Sequence, residues 1–139
     1  MVDFGVPVEV AFDYLSDPRN RPEWQSSLRA VELIDEEVAE GQRWIDVTKP
    51  GLRPAMRTVE LDRPRVWAEV GHWRGVEALV RLHFTGTTQG CRVDLEATVS
   101  GYGPVGRGLT RLGLLVGARD LKRASRIVSG DDDGPLGER

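Results

Sequence analysis

A general base with a pKa near neutrality, set beside a cation that stabilises an enolate, can abstract a proton next to a carbonyl. Only His72 and Arg57 offer such a pair in this 139-residue sequence. Whether they meet depends on strand parity. In the segment from Met56 to Leu61, burying Val59 and Leu61 brings Arg57 to the same face. In the segment from Val66 to Trp73, one parity buries Val66, Ala68, Val70 and His72, and the other buries Trp67, Glu69, Gly71 and Trp73. The first is preferred because it avoids an unpaired buried Glu69, which would be costly. It lets Arg57 and His72 converge on a carbonyl or carboxylate of a ligand. A plainer reading, that Arg57 pairs with Glu60 or Glu69 at the surface and His72 ends a strand, is favoured over that convergence. His83 falls opposite the Leu82/Phe84 face and is expected to be exposed. There is no phosphate-binding loop, nucleophile elbow or His-Glu-x-x-His motif, so catalysis itself stays undecided.

These side chains need strands to carry them. Residues 28–35 look like a strand, followed by Arg43 to Thr48, Met56 to Leu61, Val66 to Trp73, Val76 to Thr85 and Arg92 to Val99. The breaks fall at Gly41, Lys49–Pro54, Asp62-Arg63-Pro64, Arg74-Gly75 and Gly86–Gly90, all rich in turn residues. Short connections argue for antiparallel pairing, because parallel strands need long crossovers. Val76, Ala78, Val80, Leu82 and Phe84 share one face, and Val93, Leu95, Ala97 and Val99 share another. One dry face calls for a cover. The segment from Pro104 to about Ser129 supplies it as a helix, with Val105, Leu109, Leu112 and Val116 at helical spacing. Gly106, Gly108, Gly113 and Gly117 lie within that helix, where each glycine costs roughly 1 kcal/mol. Close packing of backbone on the sheet is the larger reason for them, and room for a ligand is the other.

Composition removes several function classes. Charged residues are 29% and hydrophobic residues 40%, ordinary for a globular domain, and the net charge of −3 offers no general attraction for nucleic acid. A single cysteine, Cys91, excludes an internal disulfide and fits a reducing compartment. With two histidines and no zinc spacing, no metal or other cofactor is expected. The longest apolar run, Leu112 to Ala118, is far short of the ~20 residues that span a bilayer. No signal peptide is visible, so the expected location is cytoplasmic. The basic residues of the last helix (Arg107, Arg111, Arg119, Lys122, Arg123 and Arg126) read as a solvated face that also complements the helix dipole. Four tryptophans remain. Trp24 is expected to plug the sheet end. Under the preferred parity Trp67 and Trp73 face outward and form an apolar patch for a homodimer or partner; under the opposite parity they wall a cavity.

The chain opens with Pro7-Val8-Glu9-Val10-Ala11-Phe12-Asp13-Tyr14-Leu15, is turned by Asp17-Pro18, and reaches Trp24. Pro7 suits a helix start, and Val8, Phe12 and Leu15 make one stripe. This pattern, with Gly41-Gln42-Arg43-Trp44, Asp62-Arg63-Pro64-Arg65 and the closing helix, resembles the START-like (SRPBCC) superfamily, the group containing polyketide cyclase/dehydrase-like and Bet v 1-like proteins. The resemblance covers nearly the whole chain and rests on structural residues. It implies an α+β helix-grip fold: a curved antiparallel β-sheet wrapped around a long C-terminal α-helix, with two short helices after the first strand. It also implies a cavity between sheet and helix that binds a small hydrophobic ligand. The candidate lining is Val47, Met56, Arg57, Val59, Val70, His72, Val80, Leu82, Phe84, Leu95, Leu109, Leu112 and Val116. A cyclase or dehydratase acting on an aromatic or lipid-like substrate in the same cavity is the alternative. Residues 1–129 form the expected domain, and 130–139, with three consecutive aspartates, an acidic tail too poor in apolar residues to order.

Overall fold

The computed structural model describes residues 1–101 and 104–130, except for the side chains of residues 104–107, 109, 110, 112 and 113. The expected acidic tail beyond Gly130 therefore lies outside the described residues, as do the side chains of Leu109 and Leu112. A first strand, β1 (Val2–Phe4), leads into helix α1 (Val8–Ser16). Pro7 occupies the N-cap position, and its carbonyl accepts from the Val10 and Ala11 N–H groups at 3.0 and 3.2 Å. The helix buries Ala11, Phe12, Leu15 and Ser16. Phe12 packs against Phe84 with ring centroids 4.9 Å apart. Asp17 ends α1 in an extended conformation, which the following proline favours. Its carboxylate accepts from the Arg19 N–H at 3.0 Å and starts a 3-10 turn, Pro18–Asn20. Helix α2 (Arg21–Trp24) follows at once. One turn cannot stand alone; its two buried residues, Arg21 and Trp24, tie it to the sheet.

Six more strands form an antiparallel meander: β2 (Leu28–Leu33), β3 (Arg43–Thr48), β4 (Ala55–Asp62), β5 (Val66–Trp73), β6 (Val76–Thr87) and β7 (Gly90–Ser100). The seven-stranded order is β1-β7-β6-β5-β4-β3-β2, every neighbouring pair antiparallel. At the β5–β6 hairpin Arg74 and Gly75 both take positive φ, +48° and +79°. That two-residue geometry matches the twist of the flanking strands. Helix α3 (Pro104–Ser129) packs on β7, β1, α1 and α2. Its backbone comes so near the sheet at Gly117 that an added Cβ would lie 2.6 Å from Leu95 Cδ2. Close packing thus accounts for that glycine.

Register settles the parity of β5 against the sequence expectation. Trp67 pairs with Leu82, Glu69 with Val80 and Gly71 with Ala78, and the next strand continues the row with Leu95, Ala97 and Val99. Trp67 is 1% exposed and Glu69 5%, both on the face that α3 covers. His72 stands on the opposite face. The expectation failed on its premise that a buried Glu69 would lack a partner. Arg21, 48 residues earlier, provides one. The outward Trp67/Trp73 patch therefore does not exist: Trp67 is buried, and Trp73 is half-buried with the Arg74 guanidinium 5.1 Å from its ring. Trp44 is fully buried, and Trp24, expected as a plug at the sheet end, is buried too at 5% exposed.

Candidate functional site

Between the sheet and α3 lies a cavity of about 210 Å³. Ala78, Val80 and Leu82 of β6, Leu95, Ala97 and Val99 of β7, and Val116 and Leu121 of α3 form its apolar walls. Trp24 closes one side and Trp67 another. The polar residues on the wall are Gln25, Ser27, Glu69 and Asp120. A second depression of about 260 Å³ lies across Glu69, reaching Arg21, Asp46, Met56 and Gly71. Gln25, Ser27, Glu69 and Ala78 border both.

A buried charge cluster joins these spaces. The Arg21 guanidinium donates Nε–H to Asp46 Oδ1 at 3.1 Å and Nη2–H to Asp46 Oδ2 at 2.8 Å. It also donates from Nη1 to Glu69 Oε1, and from Nη2 to Glu69 Oε2 at 3.2 Å. Turned so that its amide oxygen faces the guanidinium, Gln25 accepts from both Nη groups at 3.2 Å. Trp44 donates Nε1–H to Asp46 at 2.9 Å, and its ring lies under the Arg21 cation at 5.2 Å. The planar fork of arginine suits two carboxylates at once, which a lysine cannot match. Burial opposes the Arg21 charge, but the Glu69 and Asp46 charges and hydrogen bonds outweigh it, leaving the group firmly protonated. For Glu69, burial dominates and pushes its carboxyl above the ordinary glutamate range; the Arg21 charge opposes this and the Asp46 charge adds to it.

On the α3 side, Asp120 Oδ1 accepts from the Ser26 N–H at 3.3 Å. The indole N–H groups of Trp24 and Trp67 are buried and have no hydrogen-bond partner among the described residues. Such orphaned donors are rare in folded proteins.

Of the residues expected from sequence, Val80, Leu82, Leu95 and Val116 line the main cavity, and Met56 lines the second depression. Phe84 is buried in the core against Phe12. Val47 and Val70 are buried and Val59 is half-buried, but none lines either space. Arg57 and His72 do not converge on the cavity. Arg57 is exposed on the outer face beside Val70 and Arg43. It is not paired as the plainer reading expected, because Glu60 accepts from Arg81 at 3.1 Å and Glu69 is held by Arg21. The His72 side chain is 55% exposed and bonds Glu77 at 3.0 Å, bordering only the rim of the second depression. His83 is exposed, as expected, and bonds Glu96 at 3.0 Å. The cluster Arg21–Asp46–Glu69 was missed. Its signal is a lone acidic residue amid the Val66–Trp73 run and an arginine in a proline-bounded helix.

A curved antiparallel sheet gripping a C-terminal helix over an apolar cavity is the helix-grip architecture. A family model described as polyketide cyclase / dehydrase and lipid transport matches residues 2–127, and the chain belongs to that family. Solved structures share the fold at low identity. Protein MLL2253 from Mesorhizobium loti superposes with a TM-score of 0.74 at 16% identity, covering 94% of this chain and 95% of that one. The solution structure of Bacillus halodurans protein BH1534 gives 0.68 at 15% identity, with 91% and 92% covered. CalU16 from Micromonospora echinospora gives 0.65 at 12% identity, with 97% and 75% covered. No curated protein matches the chain by sequence.

Proposed function

We propose that this protein binds a small, largely apolar molecule in the cavity between the sheet and α3. The observation that carries this reading is the cavity itself, about 210 Å³ with apolar walls from β6, β7 and α3. Ligand sites of this kind pair apolar walls with a few placed polar groups. This one lies below the usual ~300–1,000 Å³ range, which suits a compact molecule of about two rings. Family membership supports the same reading. Native mass spectrometry of protein purified from its source should show a co-purifying ligand. An Ala97→Phe variant, which fills the cavity from β7, should lose it while remaining folded.

Glu69 favours a second reading, a cyclase or dehydratase acting in the same cavity. It is a buried carboxyl on the cavity wall, pushed above its ordinary range by burial. A group so placed can hold or take up a proton closer to neutral pH than a solvated glutamate can. It takes over the role that sequence reading offered to His72 and Arg57. Loss of turnover in Glu69→Gln, with turnover unchanged in a His72→Ala, Arg57→Ala double variant, would support this reading. Unchanged turnover in Glu69→Gln would remove it.

A further inference from the structure

Helix α3 has an inner face and an outer face of different chemistry. Val116, Gly117, Asp120 and Leu121 line the cavity. On the opposite side Arg111, Leu115, Arg119, Lys122 and Arg126 recur at helical spacing, and all are exposed. Leu115 is 66% exposed and Leu114, beside it, 37%. Asp120 is the only acidic residue in the helix sequence, and it is turned inward, 8% exposed. From this juxtaposition we infer that the outer face of α3 docks on an anionic phospholipid surface, with Leu114 and Leu115 entering the interface and the flanking cations meeting its head groups. The inference goes beyond the ligand-binding reading and does not depend on it.

A solvated helix face, the reading that the cations invite from sequence, leaves the two leucines unexplained. A helix lying in a bilayer interface needs both kinds of residue, apolar groups to bury and cations to meet anionic lipid. Among the described residues no carboxylate pairs with Arg111, Arg119, Lys122 or Arg126, so their charge is open to an outside partner. Glu96 of β7, in the groove beside Leu114, is already engaged by Arg81 and His83. The chain's net charge of −3 does not cancel the attraction, because exposed charges more than about 8–10 Å apart are largely screened at physiological salt. Nucleic acid would meet the same cations but would give the leucines nothing to be buried in. What favours lipid over an acidic protein is where the face lies. Leu114 borders a groove of about 480 Å³, and Leu79, Leu95 and Ala97 line both that groove and the cavity. Docking through α3 therefore sets the apolar edge of the cavity against the lipid.

Vesicles of phosphatidylcholine, alone or with about one-third phosphatidylglycerol, test this by flotation of the full chain. Binding to the anionic vesicles should be at least about tenfold stronger than to the neutral ones, since each interfacial Lys or Arg is worth about fivefold. Raising sodium chloride to about 0.5 M should remove most of that difference. Arg119→Gln combined with Lys122→Gln should weaken anionic binding about twenty-fivefold. Leu115→Ser, which changes no charge, should weaken it about tenfold through lost apolar burial. Leu52→Ser, at a leucine 43% exposed in the turn between β3 and β4, should leave it within about twofold. The replaced side chains are all exposed, so unfolding midpoints should match the wild type. No binding to anionic vesicles, equal binding to neutral ones, or an equal loss in Leu52→Ser overturns the proposal. So does a dimer in light scattering that Leu115→Ser dissolves, which would give the face to a second copy of the chain.

Discussion

Arg21→Met should be the most damaging single substitution in the charge cluster. Arg21 is 2% exposed and makes three side-chain bonds of 2.8 to 3.2 Å to Asp46 and Glu69, besides the short Nη1 bond to Glu69. Methionine preserves most of the volume but leaves two carboxyl groups, 5% and 7% exposed, without a counter-charge. Removing one partner of a buried ion pair costs about 3–5 kcal/mol. With two carboxyls stranded, the upper half of that range applies, about 4–5 kcal/mol. For a chain of this size that lowers the midpoint of thermal unfolding by roughly 12–20 °C. Part of the loss should return on acidification, because protonation removes the uncompensated charges. A triple variant, Arg21→Met with Asp46→Asn and Glu69→Gln, should recover most of it, since a buried ion pair replaced by neutral groups is often close to neutral in stability. Urea and thermal unfolding of the single and triple variants at acidic and mildly alkaline pH test this directly. A midpoint drop below about 3 °C for Arg21→Met, or an equal loss in the triple variant, would refute the account of the cluster as mutually compensating.

Gly117→Ala should improve helix propensity by roughly 1 kcal/mol, yet its Cβ would meet Leu95 Cδ2 at 2.6 Å and turn that flexible tip into the cavity. Unfolding midpoint held or raised with ligand affinity reduced is the expected pair of results, and an unchanged affinity would contradict it. Glu69→Gln should alter the pH dependence of stability. Because burial raises the Glu69 pKa above its ordinary 4.5, the folded state binds that proton more tightly than the unfolded chain. That contribution is full below about pH 4.5 and is lost as pH rises through the raised value, so Glu69→Gln should gain on the wild type across that rise. Exposed Asp13, Glu32, Asp35 and Glu96, lowered chiefly by hydrogen bonds from Arg63, Arg53, Arg43 and His83, act in the opposite direction in both proteins and cancel from the difference. His72→Ala should leave both ligand binding and the unfolding midpoint within experimental scatter, because its bond to Glu77 is solvent-exposed and such pairs are worth ~1 kcal/mol or less. A clear loss of binding would return His72 to the site.

Local signals were enough for much of the molecule. Pro7 and Asp17-Pro18 bracket α1, and the alternation in Val76–Phe84 and Val93–Val99 marks the inner face of β6 and β7 without any knowledge of partners. Turn chemistry at Arg74-Gly75 and the helix after Gly103-Pro104 are equally local, because φ preference and side-chain period belong to a few neighbouring residues. The cavity residues Val80, Leu82, Leu95 and Val116 followed from those periods. Strand β5 is different. Val66, Ala68 and Val70 make one face look aliphatic, and Trp67, Glu69 and Gly71 make the other look mixed, so its periodicity alone points the wrong way. What turns Glu69 inward is a guanidinium from α2, with Asp46 of β3 completing the cluster and Trp44 supporting it. Sequence patterns register the cost of burying a charge at a single position. Only the tertiary structure brings the compensating charge from 48 residues away, and with it decides which residues of β5 face the cavity.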